Sequence, residues 1–137
     1  MIILAVGKIR ESLQKEINFY QKQMPKLNII EIKDSTKEKE GMLLLRHMKD
    51  NYCVSLSIDG DVYDSVAFSR YLETLNLNKN LTFIIGGSDG LSEAVLKQCK
   101  AHISFSKFTF PHGLMRLILV EQLYRAMKIS ENHPYHK

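Results

Sequence analysis

With 137 residues and 15.8 kDa, the chain fits one domain and is long enough to bury a core without disulfide or metal staples. Hydrophobic residues at 45% and charged residues at 25% exclude a disordered chain, and no apolar run approaches the ~18 residues of a membrane span. Lys and Arg number 19 against 15 Asp and Glu; the resulting +4 and pI near 9.0 are compatible with a polyanionic partner but too modest to prove one.

Ile2 to Val6 is a continuous apolar run closed by Gly7, which reads as a buried strand. It is too short for a signal segment, so a soluble, cytoplasmic protein is expected. Leu13, Ile17, Tyr20 and Met24 keep helical spacing over about 12–24, and Pro25 stops them. A second strand spans 27–32. Asp34-Ser35-Thr36 then offers caps for a charged helix through Lys37-Glu38-Lys39-Glu40. Cys53 to Ile58 predicts a third strand with Asp59-Gly60-Asp61 as its turn, followed by a helix from Asp64 or Ser65 to about Leu75 and a polar loop over 76–80. Cys53 and Cys99 both lie in apolar stretches outside any CxxC, so they read as reduced core thiols, with no metal site implied.

Leu81 to Ile85 predicts a strand running directly into Gly86-Gly87-Ser88-Asp89-Gly90, followed by a helix over about 92–100 and a short strand over 102–105. The last helix covers about 114–130, and the chain closes on Glu131-Asn132-His133-Pro134-Tyr135-His136-Lys137. Short apolar runs alternating with amphipathic ones give one α/β domain over 1–137, with a parallel sheet flanked by helices.

Three places break these local rules. The glycine loop lies where parallel sheets bind ligands, yet its GGxxG spacing meets neither the dinucleotide nor the Walker pattern; a plain tight turn is an equal reading. The connection over 105–113 carries Phe105, Phe108, Phe110 and Pro111, where polar residues are usual. It either caps the core or lines a pocket, with Ser106 and Thr109 as hydroxyls and His112 as a pocket histidine. The last helix is apolar nearly all round, which points to burial against a second copy of the chain. On it, Glu121, Gln122, Arg125 and Lys128 share a polar arc, while Arg116 projects into the apolar side and needs an ion pair or a polar pocket. The terminal residues are either a frayed end or part of a site.

The runs Phe83-Ile84-Ile85-Gly86-Gly87-Ser88-Asp89-Gly90-Leu91, 104–112, Glu121-Gln122-Leu123-Tyr124-Arg125-Ala126 and His133-Pro134-Tyr135-His136 resemble the RlmH family. These are bacterial 23S rRNA (pseudouridine-N3)-methyltransferases of the SPOUT superfamily. Leu4-Ala5-Val6-Gly7-Lys8 and Glu38-Lys39-Glu40-Gly41 match as well, so the likeness covers nearly the whole chain, although the segment between Ile32 and Glu38 is shorter than in typical members. The resemblance implies the SPOUT methyltransferase fold with a C-terminal deep trefoil knot and a homodimer. It also implies S-adenosyl-L-methionine as cofactor and 23S rRNA within the ribosome as substrate. Leu56, Gly86 and the stretch Phe105, Ser106, Lys107, Phe108, Thr109, Phe110 would bind the cofactor. His136, Tyr135, Arg125 and His112 are the candidates for the chemistry, with the tail favoured, and the tail would complete the site across the dimer. No metal is required, because a sulfonium leaves as a neutral thioether. Two other readings stay open. Within the resemblance, one is an RNA-binding or ribosome-association module that keeps the fold without methyl transfer. From the pattern alone, the other is a small nucleotide-binding α/β protein of the flavodoxin type, against which the missing phosphate motif argues.

Overall fold

In the computed structural model, residues 1–75 and 80–137 are described. The predicted polar loop over 76–80 falls outside them except for Asn80. Five strands, β1 (Ile2–Val6), β2 (Asn28–Ile32), β3 (Tyr52–Val62), β4 (Leu81–Ile85) and β5 (Ala101–Ser104), form one parallel sheet in the order β2-β1-β4-β3-β5. The helices are α1 (Glu11–Gln21), α2 (Lys37–Met48), α3 (Ser65–Thr74), α4 (Glu93–Gln98) and α5 (His112–Ser130).

Side-chain alternation along the strands divides the core into two layers. Ile3 and Ala5 of β1 join Phe83 and Ile85 of β4 in a cluster with Ile17, Phe68, Leu119, Val120 and Leu123, which is the α1, α3, α5 side. Leu4 and Val6 point the other way with Ile84, against Leu44, Met48 and Val95 of α2 and α4. A sheet covered on both faces favours strands apolar at nearly every position; all five residues of β4 are buried, Thr82 with its hydroxyl donating to the Asn80 carbonyl at 2.9 Å.

The helix starts follow from their caps. Thr36 accepts from the Lys39 amide at 3.2 Å, Asp64 from Ala67 at 2.7 Å and Ser92 from Val95 at 3.4 Å. Several expected boundaries move: the first helix ends at Gln21 short of Met24, and the last begins at His112. The helix after the glycine loop ends at Gln98 rather than Lys100, because the Lys100 amide is drawn to the Cys53 carbonyl at 2.8 Å and the chain enters β5. β3 does not stop at Ile58; it continues to Val62. Ile103 of β5 pairs with both Leu56 and Asp61, with a break in register between them. A Cβ on Gly60 would lie 2.6 Å from both N and C of Ile103, so this residue must be glycine for the two backbones to pass. What reads as a turn from its composition is a close crossing of β3 on β5.

Arg116, the charge on the apolar side of α5, is 2% exposed. It donates to Glu31 Oε2 at 2.8 Å and to the Gly7 carbonyl at 2.6 Å, so the structural ion pair is its role. This ties α5 to the carboxyl ends of β1 and β2. Both cysteines are free thiols, and burial raises the pKa of each, that of Cys99 to about 12. No helix among the described residues is long and apolar enough to cross a membrane.

Candidate active site

Beyond the carboxyl ends of β3, β4 and β5 lies a cavity of about 810 Å³. Ligands in parallel sheets bind at this edge, because the loops there leave the strands side by side and diverge. Its walls come from three connections: the Leu56–Asp59 part of β3, the glycine loop through Leu91, and the Ser104–His112 segment.

Each wall has a local cause. The glycine loop makes a tight turn, with the Gly90 amide donating to the Gly87 carbonyl at 3.0 Å and Gly90 at φ +77°. A Cβ on Gly86 would lie 2.9 Å from the Gly90 backbone carbon, so a side chain there displaces the turn itself. In the aromatic connection, Ser104 Oγ donates to the Ser106 carbonyl at 3.0 Å and Ser106 Oγ accepts from the Phe108 amide at 3.0 Å. These bonds hold the backbone in a compact bend. Phe105 turns inward against Phe68, at 6.3 Å between ring centres, while Phe108 remains 77% exposed at the cavity mouth. His112 Nε2 lies 3.2 Å from the Lys8 carbonyl and meets the space beside Gly7, whose φ of +92° suits glycine. As the donor in that contact, its ring is pinned at the start of α5.

Seven of the eight residues expected to bind a cofactor line this one cavity: Leu56, Gly86, Phe105, Ser106, Phe108, Thr109 and Phe110. Lys107 does not line it and is exposed. Ser57, Ile58 and Asp59 also line it without a signal in the sequence, where Ser57 and Ile58 read as the end of a strand and Asp59 as the start of its turn. A second, smaller cavity of about 310 Å³ shares Ser104 and Phe105 with the first and opens between α3 and α5, beside Ile118 and Gln122.

The tail is docked, not frayed. Tyr135 Oη donates to Glu121 Oε1 at 2.9 Å, and its ring stands edge-on to Tyr124 at 4.9 Å with the Arg125 guanidinium 4.8 Å from its centre. Arg125 donates twice to Glu121, at 2.7 and 3.0 Å, and once to His136 Nδ1 at 3.1 Å. Since a guanidinium only donates, His136 is a neutral ring accepting at Nδ1 and carrying its proton on Nε2. Burial first, then Tyr20 and Glu121, push the Tyr135 phenol well above the usual tyrosine range, so it stays a proton donor. Hydrogen bonding to Glu121 outweighs burial and raises Arg125, which stays a cation. Glu121 is the acceptor on which this cluster is built, and the sequence showed it only as one polar residue in an arc.

Arg125, Tyr135 and His136 therefore come together, but none of them lines the cavity of its own chain. Arg125 stands about 15 Å along α5 from Met115, the nearer of the cavity-lining His112 and Met115 on that helix, at ~1.5 Å per residue. Among the described residues, no group of three or more His, Cys, Asp or Glu side chains is placed to hold a metal ion.

The fold and cavity define a small parallel α/β protein with a mostly apolar ligand pocket at the carboxyl edge of its sheet. Two solved structures share the fold. A probable methylase family protein from Haemophilus influenzae Rd KW20 superposes with a TM-score of 0.64 at 12% identity, over 99% of this chain and 70% of that one. The SpoU methyltransferase AviRb from Streptomyces viridochromogenes, in complex with AdoMet, gives 0.52 at 13% identity, over 95% and 58% of the two chains. Residues 1–136 match the family described as "Predicted SPOUT methyltransferase". Ribosomal RNA large subunit methyltransferase H of Acholeplasma laidlawii is 48% identical over 98% of this chain and 97% of its own. The protein of that name from Parasynechococcus marenigrum is 44% identical over 98% and 94%. The chain belongs to the SPOUT methyltransferases and, among them, to the ribosomal RNA large subunit methyltransferase H family.

Proposed function

We propose that the chain is an S-adenosyl-L-methionine-dependent methyltransferase acting on N3 of a pseudouridine in 23S rRNA of the assembled ribosome. The observation that carries the cofactor assignment is the convergence of Leu56, Gly86, Phe105, Ser106, Phe108, Thr109 and Phe110 on one cavity. At about 810 Å³ it lies within the size range of small-molecule sites. Its lining suits the group: aromatic and aliphatic side chains for a flat adenine, glycine-loop and Ser106 backbone for its polar edges. The AdoMet-bound neighbour of similar fold and the names of the relatives support the same reading.

Bound there, the cofactor supplies a methyl group on a positively charged sulfur. The remaining requirements fall on this chain. N3 of pseudouridine is an imide nitrogen that holds its proton at neutral pH and must lose it before or during attack. The tail cluster offers a fixed cation, Arg125, and two proton donors, the Tyr135 hydroxyl and His136 Nε2. Such donors stabilise negative charge developing on the imide. With Nδ1 engaged by Arg125, His136 acts as a base only if that contact opens. Alignment of N3 with the methyl group supplies much of the rest, as positioning can be worth ~7–11 kcal/mol.

The distance between tail and cavity in one chain calls for two copies. In a homodimer joined through α5, the tail of one protomer would close the cavity of the other. The apolar, partly exposed Leu114, Leu117 and Ile118 on α5 support this arrangement. A knotted C-terminal region belongs to the same proposal. Calorimetry with adenosylmethionine tests the cofactor assignment: saturable binding by the wild-type protein is expected, and no binding would overturn it.

A further inference from the structure

The Glu38-Lys39-Glu40-Gly41 stretch has no part in the cavity or the tail. Glu40 nevertheless is 5% exposed, on the α2 side of the sheet. Its Oε2 accepts from the Ser35 amide at 2.7 Å. No cation lies within ion-pairing distance of its carboxylate among the described residues. Both oxygens point at the glycine loop: a Cβ on Gly87 would lie 3.1 Å from Oε1 and 3.3 Å from Oε2. The next residue continues the contact, since a Cβ on Gly41 would lie 2.6 Å from Ser92 Oγ, the cap of α4. The first turns of α2 thus back the glycine loop at one end through Glu40 and brace the start of α4 through Gly41. On its opposite side the same loop lines the cavity.

An apolar residue would fill this buried place without the desolvation cost of a carboxylate. Packing alone therefore does not account for an acid here. The carboxylate holds the Ser35 amide with one oxygen and, beside Val6, fills the space in which a side chain at Gly87 would lie. We infer that Glu40 is a positioning residue for the glycine loop, fixing Gly87 from behind and, through it, the backbone that forms one wall of the cavity. Its effect on cofactor affinity rests on the cofactor reading above; its effect on the loop does not.

Two measurements separate these. Amide hydrogen exchange at 87–90 in the ligand-free protein reads the loop itself, and calorimetry with adenosylmethionine reads the wall. Glu40→Ala is expected to speed loop exchange and weaken adenosylmethionine each by about tenfold, whereas Glu40→Gln, which keeps shape and acceptor, stays within about threefold. Leu44→Ala, one turn further along α2 and 1% exposed, is the control for general loss of packing and is expected to leave loop exchange near wild type. Should Glu40→Ala fail to fold, Glu40→Asp withdraws the carboxylate by one methylene and carries the same expectation. Unchanged loop exchange in the folded variants, or an equal rise in Leu44→Ala, would overturn the inference. If the wild-type protein binds no adenosylmethionine, the cofactor reading fails, and the exchange result still decides the role of Glu40.

Discussion

Tyr135→Phe isolates one bond in the tail. It removes the hydroxyl that donates to Glu121 Oε1 at 2.9 Å and leaves the ring against Tyr124 and Arg125. Hydrogen bonds to charged acceptors contribute about 1.5–3 kcal/mol. Glu121 keeps both Arg125 donors, so its carboxylate is not left unpaired, and the loss falls at the lower end, about 1.5 kcal/mol. That corresponds to roughly a tenfold rise in undocked tail. The change is local, so global unfolding should move little while the His136 ring resonances shift toward those of a free tail. If the docked tail completes the partner's site, turnover on ribosomes falls about tenfold with cofactor affinity less affected. The same bond has a pH signature. The folded phenol is raised above its ordinary 10.0, so its contribution is complete below that pH and is lost as the pH climbs through the raised value. Docking should therefore persist through neutral pH and fail only in strong alkali. Unchanged His136 resonances together with full turnover in Tyr135→Phe would refute the reasoning.

Gly86→Val places a side chain against the Gly90 backbone, where a Cβ already lies 2.9 Å away, and should reduce adenosylmethionine affinity at least about 100-fold in a folded protein; calorimetry checks it. Ile118→Asp puts a charge on the face of α5 proposed to meet a second protomer, and light scattering should report monomer or aggregate, against the dimer expected of the wild type. Arg116→Ala strips the Gly7 carbonyl of its donor and leaves a void. A loss of about 3 kcal/mol in denaturant unfolding is expected, since Glu31, 39% exposed, can return to water.

The strands were legible because a sheet buried on both faces favours uninterrupted apolar runs, as in Ile2–Val6. The cavity was legible in outline for the opposite reason, since Phe105, Phe108 and Phe110 contradict what a connection ordinarily carries. Within that segment the sequence could not separate inward from outward residues, and Lys107 turns away. The extension of β3 was hidden because Asp59-Gly60-Asp61 has the composition of a turn, while its pairing depends on a strand more than forty residues later. Glu40 reads from the sequence only as one residue of a charged helix. Nothing in helical spacing says that a glycine loop from another part of the chain will press against its carboxylate. Glu121 was hidden likewise: its partner Tyr135 reaches it only because the chain folds back after α5. Local pattern fixes which face is apolar, and long-range contacts decide which polar residue becomes structural.

Methyl transfer to the ribosome tests the account most directly. Ribosomes from cells lacking this gene are incubated with the protein and methyl-labelled adenosylmethionine, and the nucleosides of 23S rRNA are resolved by mass spectrometry. The account predicts label in a single N3-methylpseudouridine, formed by the wild-type protein and sharply reduced with a chain truncated after Asn132. Absence of label from 23S rRNA, or label on another nucleoside, would contradict it.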